Sequence, residues 1–138
     1  MFTIGAFAII FDGNGKVLLS HRRDMDAWNL PGGGVQAREL PTEAVIRETR
    51  EETGLEVFIE RLVGVYGKDD RNELVFAFVC RVVGGELTLS DEADKHRYFS
   101  MDQIPPNTLS KQVERIQDAL HPVDPLSFAD SPPVLSNP

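Results

Sequence analysis

Runs of apolar residues divide the chain into short strands and two helices. Residues 3–11 form an aromatic and β-branched run that predicts a buried strand. The sequence Asp-Gly-Asn-Gly at 12–15 predicts a hairpin turn, with the returning strand over 16–23. The other strands are predicted at 55–66, 73–83, 86–89 and 97–99. Strands therefore dominate the regular structure that the sequence predicts.

Helix signals occur in two segments. Pro41 stands where a first helical residue is expected, residues 42–53 are rich in helix formers, and Gly54 stands where a helix ends. Residues 109–120 repeat apolar side chains at the i, i+3 and i+7 spacing of an amphipathic helix. A proline and three successive glycines predict that residues 24–39 form a loop.

Length, composition and charge limit the classes of function. The chain has 138 residues, enough for one domain with a substantial core, which we place at 1–120. Five of its nine prolines follow His121, so 121–138 is predicted to be a flexible tail. The formal net charge of −8 argues against binding a nucleic-acid polymer or an anionic membrane through charge. A single cysteine, no apolar stretch near the roughly 20 residues of a membrane span and no signal-peptide pattern predict a cytoplasmic protein.

The first predicted helix carries the residues best suited to chemistry. At about 100° per residue, Glu48, Glu51 and Glu52 lie on one helix face, where their charges repel unless a cation compensates them. Hard oxygen donors of this kind suit Mg²⁺ or Mn²⁺. The glycines upstream allow backbone N–H groups to approach an anion closely. A solvated helix with an Arg47–Glu51 pair is the alternative that the residues alone leave open.

This segment resembles the Nudix box, the signature of the Nudix hydrolase family, which reads G-x5-E-x7-R-E-U-x-E-E-x-G-U with U an aliphatic residue. The matching residues are Gly33, Glu39, Arg47, Glu48, Glu51, Glu52, Gly54 and Leu55. The chain departs from the pattern at Thr49, where an aliphatic residue is usual, and at Arg38, where relatives often have glycine. Flanking residues extend the resemblance over 3–120.

The resemblance implies an α/β (α+β) fold, namely an α/β/α sandwich with a mixed sheet and two main helices. It implies hydrolysis of a nucleoside diphosphate linked to another moiety, by attack of water at phosphorus. In such enzymes the residues that match Glu48, Glu51 and Glu52 hold the divalent cation, here expected to be Mg²⁺ with Mn²⁺ as a substitute. The expected partner is a small-molecule nucleotide, and a homodimer stays open.

The identity of the general base stays open at this point. Glu51 is either a third metal ligand or the base. A loop before the closing strand offers Asp91, Glu92 and Asp94 instead, and of these Glu92 is favoured.

Other residues of the motif are expected to order the site or to bind substrate. Glu39, Arg47 and Gly54 are expected to be structural, because they frame the loop and the helix. We expect Arg22 or Arg23 to bind a substrate phosphate, beside the backbone of Gly32 and Gly33. Trp28 is expected to fill space beneath the glycine loop rather than stack on a base, and the three histidines show no ligand spacing.

The identity of the substrate stays open at this point. A nucleoside triphosphate is favoured, with ADP-ribose or a nucleotide sugar as the alternative. A non-catalytic nucleotide sensor of the same fold is the alternative from another class. Loss of catalysis usually accompanies loss of the motif carboxylates, and all of them are present here.

Overall fold

The computed structural model describes residues 2–68, 71–122 and 135–136. The helices are α1 (Pro41–Thr53) and α2 (Ser110–Leu120), with a short 3₁₀ turn at Met101–Gln103. The strands are β1 (Thr3–Ile10), β2 (Val17–Arg22), β3 (Trp28–Asn29), β4 (Gly32–Gly34), β5 (Leu55–Lys68), β6 (Glu73–Gly85), β7 (Ala93–Phe99) and β8 (Leu135–Ser136). No helix within the described ranges is long and apolar enough to cross a membrane.

Two sheets organise the fold. The larger has the strand order β4-β1-β6-β5-β8, and the smaller has the order β3-β2-β7. In the larger sheet β1 runs parallel to β6 and antiparallel to β4, so the sheet is mixed. Its register places Ala6 of β1 between Phe76 of β6 and Gly33 of β4. The short glycine strand that precedes α1 is therefore anchored to the centre of the fold.

The two helices cover opposite faces of the larger sheet. Ala8 of β1 belongs to one apolar core together with Val45 of α1. The next residue, Ile9, belongs to a second core together with Ile116 of α2. Successive side chains of a strand point to opposite faces, so the sheet lies between the helices. The predicted α/β/α sandwich with a mixed sheet and two main helices is confirmed.

Helix α1 begins and ends where the sequence predicts. Pro41 is its first residue, and the carboxylate of Glu43 accepts a hydrogen bond of 2.9 Å from the Leu40 N–H at the helix start. Gly54 ends the helix with a φ of 82°, in the left-handed region. A Cβ at this position would lie 2.1 Å from the Thr88 hydroxyl oxygen. Only glycine therefore fits this end of the helix.

The turn after β1 forms as predicted, but the hairpin prediction was wrong. The Asp12 carboxylate accepts hydrogen bonds of 2.9 Å from the N–H groups of Asn14 and Lys16, which closes the turn. Beyond one bridge between Phe11 and Val17, however, β1 and β2 belong to different sheets. Because β4 and β6 occupy both edges of β1, β2 pairs with β3 and β7 instead.

Two further segments differ from the sequence prediction. Residues 24–39, predicted as a loop, contain the short strands β3 and β4. Residues 86–89, predicted as a strand, form none, because Thr88 donates its N–H to the carbonyl of Thr53 at 2.8 Å instead of joining a ladder. In the predicted tail, β8 pairs in parallel with β5, but 123–134 and 137–138 lie outside the described residues. The flexibility of the tail therefore stays a prediction.

Candidate active site

Three carboxylates from two elements meet beside the glycine strand β4. Glu48 and Glu52 lie one turn apart on α1, and Glu92 lies in the loop that precedes β7. Each offers one carboxylate oxygen such that all three oxygens lie within 4.8 Å of one another. Glu52 is 6% exposed, and the Glu48 side chain is 14% exposed. Glu92 is exposed on its loop.

Burial raises the affinity of Glu48 and Glu52 for protons. Burial raises the pKa of Glu52 to about 7, although a hydrogen bond of 3.3 Å from the Gly32 N–H opposes the shift. Burial also raises the pKa of Glu48, and the neighbouring Glu92 adds to the shift. A divalent cation would supply the positive charge that this cluster lacks. The hard oxygen donors and the partial burial fit Mg²⁺ or Mn²⁺.

The glycine strand leaves room for this cluster. A Cβ at Gly33 would lie 2.7 Å from the carboxyl carbon of Glu48. A Cβ at Gly32 would lie 2.3 Å from the carbonyl oxygen of Ala6 on β1. Side chains at these positions would therefore displace Glu48 or β1. Glycine here also leaves the backbone open on the side that faces the cluster.

Arg47 joins the loop before α1 to the helix. Its Nε donates to Glu39 Oε2 at 2.7 Å, and its Nη2 donates to the Gly34 carbonyl at 3.1 Å. Its Nη1 donates to Glu48 at 3.2 Å and to Glu51 at 3.1 Å. The guanidinium thus fixes the glycine strand and one carboxylate of the cluster relative to the same helix.

Glu51 is not part of the cluster among the described residues. Its side chain is 58% exposed, and its carboxylate accepts a hydrogen bond from Arg47. Glu92 takes the third position instead, although it lies far from α1 in the chain. Asp94, a further candidate, does not belong to the cluster, and its carboxylate contacts Nδ1 of His21 at 2.8 Å. Residue spacing along one helix could show neither that Glu51 lies outside the cluster nor that Glu92 belongs to it.

A cavity of about 430 Å³ opens beside Glu52. Its lining includes both predicted phosphate-binding arginines and acidic residues: Arg22, Arg23, Glu52, Asp91 and Glu92. Arg22 is paired with Asp24 through hydrogen bonds of 2.7 and 2.6 Å. The Nε of Arg23 donates to the Ser90 carbonyl at 2.7 Å. The cavity therefore combines cationic groups with the carboxylate cluster, as an anionic substrate with a metal ion requires.

Sequence reasoning missed several groups around this cavity. Phe7 and Asn29 line it, and the buried Oδ1 of Asn29 has no hydrogen-bond partner among the described residues. Asn29 stands two residues before the Pro31-Gly32-Gly33 segment, and this neighbourhood was the only available signal. Trp28 packs edge-on against His21 and Phe99, with ring centroids 5.2 and 5.0 Å apart respectively. Trp28 therefore fills space between rings, as expected of a packing residue, and its ring partners are His21 and Phe99.

One departure from the motif has a conformational consequence. Arg38, which stands where relatives often have glycine, has a φ of 67°. Side chains other than glycine, asparagine and aspartate rarely adopt this left-handed conformation. The chain thus keeps the backbone turn of the motif without the residue that favours it. The other departure, Thr49, is fully buried at its expected position.

Comparisons with known proteins agree with this architecture, in which a mixed sheet lies between two helices and a carboxylate cluster lies at one of them. A carboxylate cluster that can hold a divalent ion is the kind of site with which hydrolases act on phosphate compounds. The chain belongs to the Nudix family, because the family model described as the NUDIX domain matches residues 1–120.

Its relatives carry names of the same class. The chain is 29% identical over 125 residues to a MutT-like protein of Streptomyces ambofaciens, covering 91% of this chain and 81% of that one. It is 36% identical over 119 residues to a protein of Bacillus subtilis (strain 168) provisionally named 8-oxo-dGTP diphosphatase, covering 86% of this chain and 80% of that one. The crystal structure of an ADP-ribose pyrophosphatase from Streptococcus suis 89-1591 is similar with a TM-score of 0.75 and 25% identity, covering 100% of both chains.

The family and its enzyme class, predicted from the motif, are thereby confirmed. The protein is a Nudix hydrolase that acts on nucleoside diphosphate-linked substrates. Enzymes of this family use a divalent metal ion, and the chain has a carboxylate cluster that can hold one.

Proposed function

We propose that the protein hydrolyses a phosphoanhydride bond of a nucleoside triphosphate in the presence of Mg²⁺. The single observation that carries this proposal is the meeting of Glu48, Glu52 and Glu92 beside a cavity lined by Arg22 and Arg23. Carboxylates alone would repel a polyphosphate. A site that joins them to arginines and to a cation can bind one.

The residues of the cluster divide into two roles in this proposal. Glu48 and Glu52 would hold the ion, since both project from the rigid helix α1 and are shielded from solvent. When bound, the ion neutralises charge on the phosphates and favours attack at phosphorus. Glu92, exposed on its loop within reach of both, would accept the proton of the attacking water. Glu51, paired with Arg47 outside the cluster, is the alternative base.

The reaction then needs positioning more than covalent chemistry. The water oxygen bonds to phosphorus as the bridging P–O bond breaks, and the proton of the water passes to Glu92. Arg22 and Arg23 would hold phosphate oxygens of the substrate. The Gly32 N–H, which faces Glu52, would keep that carboxylate oriented throughout.

In this proposal the nucleoside portion would occupy a second cavity, which shares one lining residue with the first. A second cavity of about 280 Å³ lies between β1, β6 and the start of α2, and Phe7 lines both cavities. Gln112 lines the second cavity, and its buried Oε1 has no hydrogen-bond partner among the described residues. A nucleoside beyond the polyphosphate therefore agrees with both cavities.

ADP-ribose is the second candidate substrate. The observation that favours it is the likeness over the full chain to a structure named as an ADP-ribose pyrophosphatase. The likeness to the Bacillus subtilis protein, named for a nucleoside triphosphate, favours the first candidate. Both substrates contain the phosphoanhydride bond on which the site is proposed to act.

One experiment tests the proposal. Nucleoside triphosphates, ADP-ribose, nucleotide sugars and dinucleoside polyphosphates are supplied separately, with Mg²⁺, with Mn²⁺ and with a chelator. We expect the highest kcat/KM with a nucleoside triphosphate and no turnover with the chelator. Preference for ADP-ribose would establish the second candidate. Binding of nucleotides without turnover of any substrate would contradict hydrolysis and indicate a nucleotide sensor.

A further inference from the structure

The loop that carries Glu92 is attached to the end of β2 at three points. The backbone N–H of Arg23 donates to the Glu92 carbonyl at 3.0 Å, and the Arg23 Nε donates to the Ser90 carbonyl at 2.7 Å. On the other side of Glu92, the Asp94 carboxylate contacts Nδ1 of His21 at 2.8 Å. Glu92 is thus held on one side by Arg23, directly after β2, and on the other side by His21 of β2.

A bulge in the small sheet explains why Asp94 reaches His21. Arg22 pairs with Ala93, whereas His21 pairs with Lys95, so Asp94 is an extra residue on β7. Such a bulge interrupts the alternation of side chains and redirects the chain at that point. The redirected carboxylate meets the imidazole, and the loop before Ala93 is turned toward α1.

His21 is itself held from other directions. Its Nε2 contacts the Asp26 carboxylate at 2.8 Å, and Asn107 donates to the same oxygen at 3.0 Å. The imidazole ring packs edge-on against Trp28. With a carboxylate at each ring nitrogen, the imidazole donates two hydrogen bonds when it is protonated. An imidazole ring that is fixed at both nitrogens and on one edge can hold the loop to which it is hydrogen-bonded in one position.

We propose that His21 is a positioning residue that holds the 90–94 loop so that the Glu92 carboxylate faces Glu48 and Glu52. The inference rests on the proposed role of Glu92 in hydrolysis. No residue pattern marks His21 for this role, because its partners lie at positions 26 and 94. The role depends on hydrogen bonds to Asp94 and Asp26, not on contact with the substrate.

The test is a double-mutant cycle between His21 and Glu92. His21→Phe removes both hydrogen bonds and keeps a ring against Trp28. We expect it to lower kcat by about tenfold to a hundredfold with little change in KM, since small displacements of a catalytic group cost that much. In the Glu92→Gln background the same substitution should cause no further loss, because the group that it positions is already absent.

A matched control separates positioning from general destabilisation. Tyr66→Phe removes a hydrogen bond of 2.7 Å to Asp118 on α2, which covers the other face of the sheet. It should leave kcat close to that of the wild type. An equal loss of kcat from His21→Phe with and without Glu92, or an equal loss from Tyr66→Phe, would overturn the inference.

A second measurement keeps the inference separate from the proposed function. Hydrogen exchange of the 90–95 backbone amides should become faster in His21→Phe and stay unchanged in Tyr66→Phe. Unchanged exchange in His21→Phe overturns the inference whether or not the enzyme is active. A wild-type protein that hydrolyses none of the substrates, with faster exchange in His21→Phe, overturns the proposed function and leaves the positioning of the loop supported.

Discussion

Arg47 donates through its Nε to the Glu39 carboxylate at 2.7 Å and so ties the loop before α1 to the second turn of the helix. A second bond of 3.0 Å from Nη2 makes the pair bidentate. The same guanidinium contacts the carbonyl of Gly34 in the glycine strand. The pair therefore sets the position of β4 relative to Glu48, on which the carboxylate cluster depends.

This pair predicts a pH-dependent contribution to stability. The Arg47 guanidinium lowers the pKa of Glu39 from 4.5 to about 2 in the folded protein. A depressed pKa stabilises the fold above the unfolded-state value of 4.5, and the contribution is lost as the pH falls toward 2. Glu39→Gln should therefore lower Tm most at neutral pH. The difference in Tm from the wild type should shrink between pH 4.5 and 2; a difference independent of pH would contradict this account.

Thr49 offers a stabilising substitution. Its hydroxyl is buried and has no hydrogen-bond partner among the described residues. Thr49→Val removes this unpaired group and keeps the branched shape of the side chain, so the free energy of unfolding should rise by about 1 kcal/mol. Denaturant unfolding measures the change.

The matched control for that substitution lies one turn later on α1. Thr53 is equally buried, but its hydroxyl donates to the Thr49 carbonyl at 2.6 Å and accepts from the Leu55 N–H at 3.1 Å. Thr53→Val should therefore destabilise the protein. Equal changes in the free energy of unfolding for Thr49→Val and Thr53→Val would contradict this account, because it attributes their difference to hydrogen bonding of the hydroxyl.

The roles of Glu51 and Glu92 can be separated by kcat. Glu92→Gln removes the proposed proton acceptor and should lower kcat by about 10²–10⁴-fold with little change in KM. Glu51→Gln should cost much less, since Glu51 is exposed and contacts Arg47 rather than the cluster. Both variants are measured on the same substrate at saturating Mg²⁺. A larger loss of kcat in Glu51→Gln than in Glu92→Gln would assign the role of general base to Glu51.

Metal binding should stabilise the protein in the absence of substrate. A ligand that binds only the folded state contributes about 2.7 kcal/mol at a hundredfold excess over Kd. Millimolar Mg²⁺ or Mn²⁺ added to the chelator-treated protein should therefore raise Tm by several degrees. NaCl at matched ionic strength is the control and should give no comparable rise. A Tm that moves with neither ion would mean that the cluster is not a preformed metal site.

The sequence predicted best where local signals and the long-range structure agree. Pro41, the helix formers and Gly54 mark α1 without reference to the rest of the chain, and the structure begins and ends the helix there. Glu48 and Glu52 follow from the same periodicity, because helical spacing alone places them on one face.

The strand pairing and site contacts that were not predicted depend on segments that are distant in the sequence. The turn at Asp12 formed from local hydrogen bonds, but the pairing of β1 with β4 and β6 separated its two strands. Glu92 reaches the cluster through a loop held by β2, and helical spacing carries no information about that contact. His21 acquires Asp94 as a partner only when β7 is bulged beside β2. Sequence spacing does not report such contacts.

The kcat of Glu52→Gln at saturating Mg²⁺ tests the central claim most directly. The substitution keeps the volume and removes one negative charge from the buried centre of the carboxylate cluster. It should lower kcat by about 10²–10³-fold. The exposed Glu60 serves as the control, and Glu60→Gln should keep the wild-type kcat. A Glu52→Gln enzyme with near wild-type kcat and an unchanged Mg²⁺ requirement would contradict the assignment of this cluster as the metal site.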